Sequence, residues 1–147
     1  MSGNFNNVGL NNVGSYQVSG VPWITGSNNL AAGIQHQIHF PRVAKKVTVI
    51  ANNVASQEIR VHFNSTGSAD ASGSIDVVNG RHYVALGSDG ASIELEVKCR
   101  EVYISTNGTA GDGARTYTVI AELTQIPVSR MYDLTGSGLT ELVQGQG

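Results

Sequence analysis

The sequence predicts an all-β fold, an antiparallel β-sandwich or jelly-roll-like barrel of about eight strands with extended N- and C-terminal arms. Seventeen valines and ten isoleucines stand against eight leucines and two methionines, and β-branched side chains suit a pleated sheet. Gly, Ser, Asn and Thr contribute 18, 14, 12 and 10 of the 147 residues, and most of these residue types are enriched in turns. Both observations indicate many short strands joined by turns.

Runs of alternating apolar and polar residues make up the predicted domain, residues 21–127. Turn residues separate the runs at intervals of about 8–12 residues, which is typical of sandwiches and barrels. One polar face in each run favours antiparallel sheets with one solvated side. The candidate strands in chain order are 21–25, 34–40, 47–51, 59–63, 75–78, 81–86, 93–99, 102–104 and 117–123.

Three local signals define boundaries between these runs. Residues 26–29 read as a turn after the first strand, and Pro41 is expected to end the second, because proline cannot donate to a strand ladder. Asn79-Gly80 predicts a hairpin with a type I′ turn, since this turn needs positive φ at both central residues.

The two ends of the chain differ from the domain between them. Residues 1–20 contain the sequence NNVG twice, at 6–9 and 11–14, and follow neither a helical nor a strand period. Residues 128–147 carry apolar residues at intervals around a Gly-Ser-Gly stretch. We interpret both segments as extended arms that order on another surface.

Charge and targeting signals narrow the class of protein. Charged residues make up only 14% of the chain, the net charge is −2 and the pI is near 6.0, which disfavours a nucleic-acid partner. An apolar run of membrane-spanning length and a secretory leader are both missing from the sequence, so we expect no membrane partner. The lone Cys99 cannot form an intrachain disulfide, which fits synthesis in a reducing host cytoplasm.

Catalytic and metal-binding motifs are not found. The sequence has no G-x-S-x-G elbow and no phosphate-binding glycine loop. His36 lies on an apolar face and is expected to be a core histidine, and His39, His62 and His82 have no metal-ligand pattern. Glu94 and Glu96 share one strand face and are expected to pair with basic neighbours across the sheet. We therefore predict a protein that is not an enzyme and has no cofactor or metal.

The candidate interaction residues lie in the arms and in two places in the domain. Trp23 either covers the core or mediates a subunit contact. Arg42, Lys45 and Lys46 form a small basic cluster, either at the solvated start of a strand or as an anchor for an acidic neighbour. The candidates in the arms are Phe5, Val8, Leu10 and Val13 at the N-terminus, and Met131, Tyr132, Leu134, Leu139 and Leu142 at the C-terminus.

The small Val/Ile-rich domain, the NNVGLNNVG arm and the LTGSGLTELVQGQG tail together resemble the capsid decoration or cement proteins of tailed bacteriophages. That resemblance implies a virion structural protein that binds and stabilises the capsid lattice, commonly as a homo-oligomer, with the major capsid protein or other virion subunits as partners. A small jelly-roll coat subunit or a tail-tube subunit would have a similar sequence. A carbohydrate-binding or host-attachment module is the alternative from another functional class.

Overall fold

Strands make up most of the described chain and confirm the predicted all-β class. The computed structural model describes residues 20–31, 33–52, 58–66, 76–107 and 114–131, and the backbone of 134–135 and 141–142. Within these ranges, one 3-10 turn occupies Val128–Arg130. The strands are β1 (Val21–Leu30), β2 (Gln35–Asn52), β3 (Ile59–His62), β4 (Val84–Leu86), β5 (Ser92–Leu95), β6 (Cys99–Thr106), β7 (Arg115–Leu123), β8 (Leu134–Thr135) and β9 (Glu141–Leu142).

The 18-residue strand β2 organises the main sheet, in which all described pairings are antiparallel. The N-terminal part of β2 pairs with β6, β6 pairs with β3, and β3 pairs with β4. These four strand segments form the second layer. The C-terminal part of β2 pairs with β7 on one side and β5 on the other, and β1 lies outside β7; these strands form the first layer. The sheet path from β1 to β4 does not close on itself, so the structure is an open sandwich rather than a barrel.

One hydrophobic core joins the two layers. Val49 and Val119 contribute from the first layer, and Val61 and Ile104 contribute from the second, and all four belong to the same cluster of buried side chains. The layers therefore face each other across this cluster. Alternate residues of β7 point into it, as the burial pattern of that strand shows, and this confirms the predicted alternation of the last long run.

Pro41 does not end the second strand, contrary to the prediction. Strand β2 continues through it to Asn52, and the pairing with β6 shifts register between His39 and Ala44. A proline can occupy an irregular position of this kind because no ladder hydrogen bond needs its missing N–H. The irregularity bends β2 from one layer into the other, and we call residues 40–44 the bend.

The predicted turn at 26–29 is also wrong, because these residues belong to β1. Gly26 pairs with Thr118, and a Cβ atom at Gly26 would lie 2.7 Å from the carbonyl oxygen of Tyr117. The glycine marks a close approach of two strand backbones rather than a turn. The register of β1 with β7 shifts between Ser27 and Leu30.

The predicted two-residue hairpin at Asn79-Gly80 is replaced by a longer turn. The Asp76 carboxylate accepts the Asn79 N–H at 2.6 Å, and the Gly80 N–H donates to the Asp76 carbonyl at 2.9 Å. Positive φ falls on Arg81, at 56°, and not on Gly80. The side-chain cap at Asp76 thus competes with the type I′ geometry, and β4 begins only at Val84.

The segment after residue 127 folds locally in part. The 3-10 turn at Val128–Arg130 is followed by Met131, whose side chain packs against buried Val43 and Ile126. The backbone of Leu134–Thr135 pairs with that of Glu141–Leu142. The predicted N-terminal arm, residues 1–20, lies outside the described residues apart from Gly20.

Candidate interaction surface

A buried threonine fixes the backbone beside the bend. The Thr124 hydroxyl donates to the Val43 carbonyl at 2.7 Å and accepts the Ile126 N–H at 3.1 Å. Backbone hydrogen bonds from Thr124 to Val43 and from Val43 to Ile126 complete the corner. Because these buried polar groups satisfy one another, the chain at this corner is held in one arrangement.

A surface groove of about 410 Å³ opens next to this corner, and we call it the bend groove. Leu123 and Thr124 are buried at its floor, whereas Arg42 and Gln125 are exposed at its rim. Val21 at the start of β1 is 54% exposed and completes the lining. Arg42 makes no ion pair with any residue that the structure describes. The groove therefore combines apolar surface with a guanidinium group, a combination that suits a peptide segment carrying apolar and acidic side chains.

Basic residues concentrate at the bend end of the sandwich. Pairing of Ala44 with Cys99 brings the segment 42–46 beside residues 98–100, and the 3-10 turn packs on β2. This end includes six of the nine Lys and Arg residues of the sequence, namely Arg42, Lys45, Lys46, Lys98, Arg100 and Arg130. Carboxylates balance part of this charge, since Lys46 is paired with Glu94 and Glu122.

Lys46 belongs to the outer face of the first layer rather than to the bend groove. Its Nζ atom lies 2.6 Å from Glu94 and 3.7 Å from Glu122. The hydrogen bond to Glu94 is the main cause of a raised pKa for Lys46. This contact confirms the expected cross-strand pairing of Glu94. Of the predicted basic cluster, only Arg42 lines the bend groove, while Lys45 is the extra residue of a bulge opposite β7.

Trp23 packs into the domain. Its ring meets Phe40 edge to face, with centroids 5.3 Å apart, and its side chain lies against the main core. Of the two roles predicted for Trp23, the structure supports covering the core. Met131 likewise packs on Val43 and Ile126. The side chains of the other arm candidates lie outside the described residues: Phe5, Val8, Leu10, Val13, Tyr132, Leu134, Leu139 and Leu142.

Val21 and Gln125 line the bend groove but were not predicted from the sequence as interaction residues. Val21 falls in an alternating run and has no local sign of exposure. Only the position of β1 outside β7 leaves it at the rim. No pattern along the chain identifies Gln125 either, because its place depends on the corner that Thr124 builds.

A serine–histidine pair at hydrogen-bond distance, Ser105 and His62, is enclosed in the domain. His62 Nδ1 donates to the Asn64 carbonyl at 2.6 Å, so its Nε2 accepts the Ser105 hydroxyl at 2.9 Å. The His62 ring stacks on Tyr103, and burial lowers the pKa of His62. His62 and Ser105 are 1% and 6% exposed, so this contact serves the fold and offers no open site.

Histidines and carboxylates elsewhere have structural partners. His36 Nδ1 lies 2.7 Å from the Tyr117 hydroxyl, so His36 has a structural partner, although it is half-buried and lies outside the buried core. Within the described ranges, no three His, Cys, Asp or Glu side chains are grouped closely enough to hold a metal ion. The same part of the chain contains no helix long and apolar enough to cross a bilayer.

Comparisons with family models, with curated protein sequences and with solved structures found no match to this chain.

Proposed function

We propose that this chain is a virion structural protein of the capsid decoration or cement type, which binds the major capsid protein or other virion subunits. It attaches to the capsid lattice through the bend groove, and its terminal segments reach neighbouring subunits. Binding to the assembled lattice alone stabilises that state by mass action. Weak contacts repeated by symmetry then add up over the particle.

The bend groove is the observation that carries this proposal. Its floor is held by the Thr124 corner, so little backbone ordering is needed when a partner binds. Its rim offers exposed Val21 and Arg42 at the end of the domain where six basic residues gather. A rigid groove with apolar and cationic groups fits an acidic segment of a lattice subunit.

The packing of the described aromatic rings argues against the carbohydrate-binding alternative. Sugar-binding modules use open aromatic faces, but each described Trp and Tyr ring already packs on another group. Trp23 meets Phe40, Tyr83 carries the Arg60 guanidinium at 4.5 Å, and Tyr103 stacks on His62. Tyr117 is buried beside His36. A glycan-array screen tests the alternative directly, because saturable binding to one sugar would favour it over the lattice proposal.

Binding to particles that lack this protein tests the proposal. We expect the wild-type protein to co-sediment with particles and to raise the temperature at which they release DNA. Arg42→Glu reverses the charge at the rim, and we expect at least about tenfold weaker binding, equivalent to about 1.4 kcal/mol. Deletion of residues 1–20 should also lower occupancy, since the terminal segments reach neighbouring subunits.

The matched control is Arg81→Glu, which makes the same charge change at an exposed turn away from the groove. We expect its occupancy to equal that of the wild type. Equal occupancy and equal particle heat resistance for Arg42→Glu, Arg81→Glu and the wild type would refute the role of the groove. Failure of the wild type to bind any particle would refute the proposed function itself.

A further inference from the structure

Alternate residues of β2 and β7 form an outward-pointing surface on the first layer. Their neighbours Val47, Val49 and Val119 point into the core, so the residues between them point outward. These outward residues are half-buried, whereas the residues that alternate with them are buried. We call the following eight residues the outer face: Lys46, Thr48, Ile50, Asn52, Thr116, Thr118, Ile120 and Glu122.

Each residue of the outer face lies beside a residue of complementary type on the other strand. The register of β2 with β7 gives four such pairs: Lys46–Glu122, Thr48–Ile120, Ile50–Thr118 and Asn52–Thr116. A cation therefore lies beside a carboxylate, each isoleucine lies beside a smaller threonine, and an amide lies beside a hydroxyl. Opposite charges and pairs of β-branched side chains are favourable neighbours across strands.

We propose that the outer face binds the outer face of a second copy of this chain, with a two-fold axis that runs parallel to the strands between β2 and β7. This rotation places β2 of one copy over β7 of the other, at the same level along the strands. Each residue then faces, on the second copy, the residue that it already pairs with in its own sheet. Lys46 faces Glu122 of the second copy, and Ile120 faces its Thr48.

The charges of the outer face favour a second copy as the occupant. A partner must present a carboxylate over Lys46 and a cation over Glu122, about 4.8 Å apart because this is the spacing of neighbouring strands. The rotated outer face presents both groups, and every contact of a two-fold interface occurs twice. The Lys46 ammonium group has three donors. Glu94 occupies one of them at 2.6 Å, while Glu122 lies 3.7 Å away, beyond hydrogen-bond distance.

The area of the first layer is sufficient for a dimer. The four strands β1, β7, β2 and β5 are about 19 Å wide together, and the nine residues of β7 extend for about 30 Å. Two such surfaces in contact bury up to about 1,100 Å², and a specific interface should exceed about 1,000 Å². Ile24 on β1 and Glu94 on β5 form the rim, where they are 67% and 60% exposed.

Two charge reversals test the inference when self-association is measured by analytical ultracentrifugation. Lys46→Glu and Glu122→Lys should each raise the dissociation constant at least about tenfold, because each variant places like charges opposite one another across the two-fold axis. An equimolar mixture of the two variants should associate as the wild type does. In the mixed dimer, the new carboxylate at position 46 meets the new ammonium group at position 122, and the native Glu122 meets the native Lys46.

Recovery in the mixture reports a contact between copies. Within one copy, each variant keeps its like charges side by side whether or not the other variant is present. The matched control is Arg81→Glu, which makes the same charge change as Lys46→Glu at an exposed turn and should associate as the wild type does. A monomeric wild type, or a mixture that associates no better than its separate components, would overturn the inference.

Disulfide trapping provides a second measurement that needs no charge reversal. A tagged Thr48→Cys variant is mixed with Ile120→Cys under mild oxidation, and we expect linked pairs of one tagged and one untagged chain. Cys99 stays in place, because it is buried and burial raises the pKa of its thiol to about 12. The control mixture replaces Thr48→Cys with Val78→Cys, at an exposed position in the turn before β4. Equal yields from both mixtures, or no linked pairs from either, would contradict the inference.

This inference rests on the register of β2 with β7 and not on the capsid proposal, and the same variants separate the two. A monomeric Lys46→Glu protein that still binds particles would leave the groove proposal standing. A wild-type protein that dimerises through the outer face but binds no particle would refute the capsid proposal and leave the dimer interface intact.

Discussion

The bend end and the β1 edge are two surfaces of one domain with opposite physical character. The bend end holds six basic residues, of which Arg42 lines the bend groove, while the β1 edge and all the sequence before it carry no charge. Val21 lies where the two surfaces meet. The difference teaches that charge is unevenly distributed over this small sandwich, so that salt and charge substitutions should act on the bend end and leave the β1 edge unaffected.

The largest expected effect distinguishes the two faces of β1 itself. Trp23 packs on Phe40 and the core, so Trp23→Ala should destabilise the fold toward the lower end of about 3–5 kcal/mol, because the ring is only half-buried. Ile24, on the other face, is 67% exposed, and Ile24→Ala should stay within about 0.5 kcal/mol. Urea unfolding measures both. Equal losses would mean that the two faces of β1 are not distinct.

Substitution of Thr124 should have the next largest effect on stability. Thr124→Val removes the hydroxyl that accepts the buried Ile126 N–H, and an unsatisfied buried donor costs about 1–3 kcal/mol. Thr124→Ser keeps the hydroxyl and is the matched control, with a smaller loss. We expect Thr124→Val to weaken particle binding in addition. A loss no larger than that of the control would show that the hydroxyl does not hold the groove floor.

Salt dependence compares the two surfaces directly. Particle binding should weaken as sodium chloride rises from about 50 to 500 mM, because the contacts of Arg42 are screened. Arg42→Gln should bind more weakly at low salt and show a flatter dependence. Ile24→Ala, at the uncharged β1 edge, should keep the salt dependence of the wild type. Equal salt curves for Arg42→Gln and Ile24→Ala would contradict the separation of a charged from an uncharged surface.

The smallest expected effect involves His62, which lies in neither surface. Burial lowers the pKa of His62 below its ordinary value of 6.5, so the unfolded chain binds a proton more readily than the folded one. Stability is therefore complete above pH 6.5 and decreases as the pH falls through that value. The neighbours facing His62 are Tyr103, Ser105 and Arg60, the last of which also disfavours a second positive charge.

Unfolding curves between pH 8 and 5 test this expectation. His62→Gln should lower stability at pH 8, where it loses the paired imidazole, and should flatten the dependence on pH. A wild-type curve with no slope in this range would contradict the assignment of His62 as a neutral buried group.

The sequence was sufficient to predict the features that depend on a local pattern of residues. Alternation of Tyr117, Val119, Ala121 and Leu123 predicted β7, and the dominance of Val and Ile predicted an all-β class. The basic residues after Phe40 were visible as a cluster.

The sequence-based predictions were wrong where a side chain, or a strand distant in sequence, determines the backbone conformation. Pro41 was predicted to end the strand, but the shift in pairing with β6 removes the need for an N–H donor at this position. Gly26 was predicted to lie in a turn, but it lies in β1, where the close approach of the Tyr117 carbonyl on β7 leaves no room for a side chain. Asp76 caps the turn that Asn79-Gly80 was expected to form. The bend groove could not be predicted, because its lining residues meet only after β1, β2 and β7 have paired.

The passage of β2 through both layers has a consequence for how the domain responds to stress. Its N-terminal part is held by β6, and its C-terminal part by β7 and β5, so tension applied to either layer is transmitted along a single covalent strand into the other. Neither layer can open and leave its counterpart intact. Amide hydrogen exchange should therefore show one shared opening free energy across β2, β6 and β7.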